Sequence, residues 1–120
     1  MRLTAIAPQF IVADLEASIA YYRDALGFTV DFVHESFYAG VSRDEATIHL
    51  KHGTVSRDER ERRKSEEHLD AYISVEDVAG LSEELQAHGA NVIKPLEQRS
   101  WNRVDFYVED PDGYVICFSE

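Results

Sequence analysis

A chain of 120 residues with 44% hydrophobic and 29% charged residues carries one domain with a real core, or two very small modules sharing one, and excludes two independent domains. Twelve Lys and Arg against 23 Asp and Glu leave a formal net charge of −11, which repels nucleic-acid phosphates and anionic membrane surfaces and argues against both as partners. No apolar run approaches the roughly 20 residues of a bilayer crossing, Met1-Arg2-Leu3-Thr4 lacks the apolar stretch of a signal peptide, and the single cysteine, Cys117, makes no internal disulfide, so a cytoplasmic location is expected.

Gln9 to Val12 reads as a strand, and Asp14 stands where a cap belongs for a helix whose apolar positions Leu15, Ile19, Tyr22 and Leu26 follow a 3.6-residue period. Gly27 closes that helix in the manner of a left-handed C-terminal residue. Three strands follow, over Phe28 to Val33, Phe37 to Val41 and Ala46 to Leu50. From Ala71 the order repeats: a strand to Val75, a cap at Asp77, an apolar stripe of Val78, Leu81 and Leu85, and a closing Gly89. Strands over Asn91 to Ile93, Val104 to Val108 and Tyr114 to Phe118 complete the copy, with Asp110-Pro111-Asp112-Gly113 supplying type I turn chemistry before the last. Each copy is thus β-α-β-β-β, and neither buries both faces of its sheet alone, so the two must pair.

Module one spans 1–53 and module two 68–120. The linker, 54–67, holds Arg57, Arg60, Arg62, Arg63 and Lys64 against Asp58, Glu59, Glu61, Glu66 and Glu67. Such interleaving argues against a basic patch and for a mobile charged connector, although Ser56 with Glu59 also has the spacing of a capping box.

The repeat, with Tyr21-Tyr22-Arg23-Asp24-Ala25-Leu26-Gly27-Phe28 after its first strand and Val108-Glu109-Asp110-Pro111-Asp112-Gly113-Tyr114 before its last, resembles the vicinal-oxygen-chelate superfamily over essentially the whole chain. That superfamily holds glyoxalases, extradiol dioxygenases and bleomycin-resistance proteins. The resemblance implies an α+β fold in which two tandem βαβββ modules form a curved mixed sheet with a cleft, paired in a homodimer. It also implies a metal site with one ligand from the first and one from the last strand of each module. Those positions fall here near Ala7, with Gln9 two residues on, and on His49, Asp70 and Cys117. Alanine binds no metal, so the family's site is not expected and no cofactor is called for. A divergent metal site of His49, Asp70 and Cys117, completed by Gln9, is the alternative, since imidazole, carboxylate and thiolate all bind zinc.

Strand alternation turns Thr47, His49 and Lys51, then Asp70, Tyr72 and Ser74, and then Val115, Cys117 and Ser119 toward the cleft. Trp101, in Ser100-Trp101-Asn102-Arg103, sits where similar drug-binding relatives also tend to carry a tryptophan, and Phe37, Tyr38, Tyr72 and Tyr107 are further ring candidates for a planar or cationic ligand. Asp70 and Asp105 offer charge to a basic one. The function these residues favour is binding and sequestration of a small organic compound, an antibiotic or a toxic metabolite, through Trp101, His49, Tyr72 and Asp70. The alternatives are a divergent metal-dependent lyase, isomerase or dioxygenase, and a protein–protein module.

Overall fold

Two four-stranded sheets lean on a single apolar core, and that shared core is why neither half of the repeat stands alone. In the computed structural model, which describes residues 1–120, the elements run β1 (Gln9–Val12), α1 (Leu15–Ala20), β2 (Thr29–His34), β3 (Tyr38–Arg43), β4 (Ala46–His52), α2 (Arg57–Ser65), β5 (Ala71–Ser74), α3 (Val78–Ala87), β6 (Asn91–Gln98), β7 (Val104–Glu109) and β8 (Val115–Ser119). The sheets are ordered β1-β4-β3-β2 and β5-β8-β7-β6. In each, the first strand lies parallel to the last and the other pairings are antiparallel. This is an α+β fold of two βαβββ modules.

The helices begin and end on the residues that their chemistry selects. Asp14 accepts the amide of Ala17 at 3.0 Å and Asp77 that of Gly80 at 3.1 Å, each satisfying a first-turn donor that has no partner within its helix. Gly27 and Gly89 leave the helices at φ of +74° and +85°, where a Cβ is strained. One departure from the regular period is that α1 runs on as a π-helical turn over Tyr21–Ala25, with the Leu26 amide donating to the Tyr21 carbonyl.

The core takes Phe10, Tyr22, Leu26, Val41, Ile48 and Leu50 from module one and Leu85, Phe106, Val108, Ile116 and Phe118 from module two, in one cluster of 17 buried residues. Parting the modules returns such side chains to water at about 1.5–3 kcal/mol each. A polar clamp fixes how they meet. The 110–113 turn closes with Gly113 N–H on the Asp110 carbonyl at 3.1 Å. The Asp110 carboxylate then accepts from Asp112 N–H and Tyr114 N–H, both at 2.9 Å, and from the Tyr22 hydroxyl of module one at 2.8 Å. Asp112 accepts from Ala13 N–H at 3.0 Å, and the Tyr114 hydroxyl bridges the carbonyl and amide of Ile11 while its ring stacks on Phe10. Arg43 and Glu84 make a two-pronged ion pair elsewhere on the seam.

The linker is a helix rather than a mobile connector. Ser56 caps it by accepting from Glu59 N–H at 3.2 Å. Although α2 buries no residue of its own, Arg60 donates to Asp70 at 3.0 Å and lies 4.3 Å over the Tyr114 ring, and Lys64 reaches Glu109 at 3.2 Å. Charge interleaving therefore serves two ends, pairs along the helix and anchors to module two.

Candidate functional site: two open sheet faces

With one side of each sheet committed to the core, the other side is open. On module one the register aligns Gln9, His49, Gly40 and Phe32 in a row across the four strands. The Phe32 ring lies over Gly40, where a Cβ would come within 2.3 Å of it, so glycine is what lets the ring lie flat on the sheet. Phe32 stacks on Tyr38 at 6.1 Å and meets His49 edge-on at 5.6 Å. Gln9 donates to the Tyr38 hydroxyl at 3.0 Å, and that hydroxyl pairs with His49 Nδ1 at 2.9 Å. With Gln9 donating, the Tyr38 proton goes to Nδ1, which places the proton of a neutral His49 on Nε2. Phe37, at the β2–β3 turn, adds a further ring edge-on to Tyr38.

The open face of module two has a different character. One row aligns Tyr72, Cys117, Tyr107 and Lys94, and the next aligns Ser74, Ser119, Asp105 and Glu97. Cys117 is fully buried in the sheet, and burial, reinforced by neighbouring Asp105, pushes its thiol up to about 12. Lys94 and Arg99 both sit 5.4 Å from the Tyr107 ring centre. Arg99 Nε donates to Asp105 at 2.6 Å, and Arg103 Nε donates to the Ser119 hydroxyl, which also pairs with Tyr72. The two arginines flank the β6–β7 loop, where Arg99 N–H meets the Arg103 carbonyl and Asn102 turns at φ of +63°. Trp101 stands at its tip, 62% exposed.

The predicted residues therefore divide between two faces instead of converging within one chain. His49, Tyr38 and Phe37 belong to the first, and Tyr72, Tyr107, Asp105, Cys117 and Trp101 to the second. Asp70 belongs to neither ligand face: its carboxylate is taken by Arg60 and by Val115 N–H at 2.9 Å. Asp105 is buried beneath Arg99. The two acids expected to meet a basic ligand are thus each neutralised by an arginine, which corrects that expectation. The proposed metal set does not assemble either, since no three His, Cys, Asp or Glu side chains gather closely enough to hold an ion and Ala7 precedes β1 with nothing to coordinate. The donor set of the chain does not fit the family's metal. The largest hollow, about 1050 Å³, lies apart from both rows, in the seam between β4 and α3 with β5 along it, floored by Leu26, Phe28 and Ile48. It lacks the ring cluster and the unpaired donors of the open faces.

Phe32, Lys94, Arg99 and Arg103 are site residues that strand alternation does not reveal. Phe32 and Lys94 are displaced by bulges between Val30 and Phe32 and between Val92 and Lys94, equivalent points of the two modules. Val30 and Val92 pair with the core residues Val41 and Val108, yet the residue two positions on faces the open side.

Comparison with known proteins places this geometry. The family described as the Glyoxalase/Bleomycin resistance protein/Dioxygenase superfamily matches residues 3–118. A bleomycin resistance protein of Geobacillus stearothermophilus is 30% identical over 127 aligned positions, covering 92% of this chain and 92% of the relative. A lactoylglutathione lyase of Haemophilus influenzae is likewise 30% identical, covering 91% of this chain and 86% of the relative. The crystal structure of a bleomycin-binding protein from Streptomyces verticillus, in complex with copper(II)-bleomycin, matches with a TM-score of 0.76 at 23% identity, covering 98% and 96% of the two chains.

Proposed function

The chain belongs to the glyoxalase, bleomycin resistance protein and dioxygenase superfamily, and from that membership we propose that it binds and sequesters a small planar organic compound, an antibiotic or a toxic metabolite, without converting it. The observation that carries this reading is the make-up of the two faces. They present rings and hydrogen-bond donors, while the positions at which a metal enzyme of this fold needs ligands hold an alanine, a histidine bonded to Tyr38, an aspartate paired with Arg60 and a buried thiol. Stacking on an indole or phenol face is worth about 0.5–1.5 kcal/mol beyond the area buried. The bleomycin resistance and bleomycin-binding relatives support a ligand of this size.

The same reading includes a homodimer. Phe32, Phe37, Tyr72 and Trp101 are 43, 41, 53 and 62% exposed, a large amount of ring surface for one small chain to leave in water. A second copy that sets its module-two face against the module-one face encloses those rings in a cleft between chains.

Trp101 is the sole tryptophan and reports on binding directly. Titration with a panel of planar compounds, bleomycin among them, is expected to give saturable quenching, with the ligand recovered unchanged and light scattering giving the mass of two chains. Replacing Trp101 with Phe and following binding by calorimetry should keep the fold and weaken affinity severalfold. Turnover of a glutathione hemithioacetal on addition of nickel or zinc, lost in His49→Ala, would overturn the reading in favour of a lyase. A single-chain mass would overturn the dimer.

A further inference from the structure

We propose that the open face of module two selects an anionic aromatic ligand, a planar ring system bearing a carboxylate or a comparable oxyanion, with the negative group held between Arg99 and Arg103. The inference rests on the small-molecule reading above and names the chemical class of its ligand.

A census of donors and acceptors on this face carries the argument. Arg99 spends Nε on Asp105 and Nη1 on Glu97, yet its Nη2 is buried and has no partner. A buried guanidinium donor left unpaired costs about 1–3 kcal/mol or more, so its natural complement is an acceptor brought in from outside. Arg103 makes one side-chain hydrogen bond, from Nε to Ser119 at 3.1 Å, and no carboxylate lies within 4.0 Å of it. In a chain with 23 acids and 12 bases, a basic side chain lacking a counter-ion beside this face stands out. The Tyr72 and Ser119 hydroxyls share one bond at 2.9 Å, and Ser119 also accepts from Arg103, so one of their two protons is left to donate outward. The acceptors run the other way. Asp105 is 1% exposed and committed to Arg99, and Asp70 is committed to Arg60. The face therefore presents three kinds of unspent donor and no unspent buried carboxylate.

Geometry links these donors to a stacking surface. The backbone bond from Arg99 N–H to the Arg103 carbonyl, at 2.6 Å, closes the loop that carries Trp101, so two guanidinium groups stand at the base of an exposed indole with the Tyr72 ring on the adjoining strand row. An aromatic acid satisfies both features: its ring meets Trp101 or Tyr72, and its two oxygens accept from guanidinium donors in the forked geometry that arginine favours.

The test compares three probes of one shape, naphthoate, naphthamide and naphthylmethylammonium, by quenching of Trp101 in the wild-type protein and in Arg103→Ala and Arg103→Lys. Arg103 is the residue to change because truncating Arg99 would strand the buried Asp105. The expected result is that naphthoate binds at least tenfold tighter than either analogue, that its affinity falls with added salt, and that Arg103→Ala removes the preference while Arg103→Lys keeps part of it. The naphthamide affinity, which a purely structural role of Arg103 would lower in parallel, should stay within about twofold. Equal binding of all three probes, or tighter binding of the ammonium, overturns the anionic assignment and leaves small-molecule binding intact. Failure of all three probes to quench at millimolar concentration overturns both.

Discussion

Asp110 makes the clamp between the modules sensitive to pH, and replacing it with asparagine exposes how much. The side chain is 4% exposed, and burial raises its carboxyl from the ordinary 3.8 to about 6, against the lowering effect of the Tyr22 hydroxyl and of the Tyr114 and Asp112 amides. Between those values the folded chain keeps a proton that the unfolded chain has released. Stability from this group is therefore complete below about pH 3.8 and is lost as pH rises through about 6. At roughly 1.4 kcal/mol for each pH unit, the interval amounts to about 3 kcal/mol. In Asp110→Asn the Oδ1 atom still accepts from the Asp112 and Tyr114 amides, and the new Nδ2 donates to the Tyr22 oxygen, but nothing titrates. Urea unfolding of both proteins at one protein concentration, from about pH 4 to about pH 7.5, isolates the group because all other ionisations are common to the pair. The stability of the variant relative to the wild type should rise by about 3 kcal/mol across that range. A difference that stays flat, or that falls with pH, refutes the assignment of a buried, proton-retaining carboxyl at the clamp.

Two further outcomes test the faces themselves. Gly40→Ala drives a Cβ to 2.3 Å from the Phe32 ring, which must swing off the sheet; because β2 is an edge strand the cost in thermal stability should be only about 1–3 kcal/mol, whereas ligand titration should show a severalfold loss, and unchanged affinity would remove Phe32 from the site. Cys117, fully buried and with its thiol pushed up to about 12, should resist a thiol-specific reagent at mildly alkaline pH until urea is added; rapid labelling of the folded protein would contradict its placement.

The elements were legible because local chemistry and global fold agree there. Asp14 and Asp77 cap, Gly27 and Gly89 terminate, and the stripe from Leu15 to Leu26 is buried even though its last turn widens into a π-helical one. What a period of two does not reveal is a change of phase. At Val30 and Val92 a single extra residue inverts the facing of everything beyond it in β2 and β6, which is how Phe32 and Lys94 reach the open side. Residue identity also says nothing about prior commitment. Asp70 and Asp105 look like ligands for a cation until Arg60, from a helix disguised as a charged linker, and Arg99, from a hairpin loop, are seen to hold them. Long-range ion pairs of this kind carry no spacing signature, since their partners are joined by tertiary structure alone.

The inter-module clamp has a consequence for how such a protein changes its ligand. The bonds that orient module one on module two come from Asp110, Asp112 and Tyr114, and they are received by the Tyr22 hydroxyl and by main-chain groups of Ile11 and Ala13. None uses Phe32, His49, Tyr72, Arg103 or Trp101. Mounting and lining are thus encoded by separate residues, so substitutions on the open faces can redraw ligand preference one side chain at a time while the angle between the faces stays where the turn sets it.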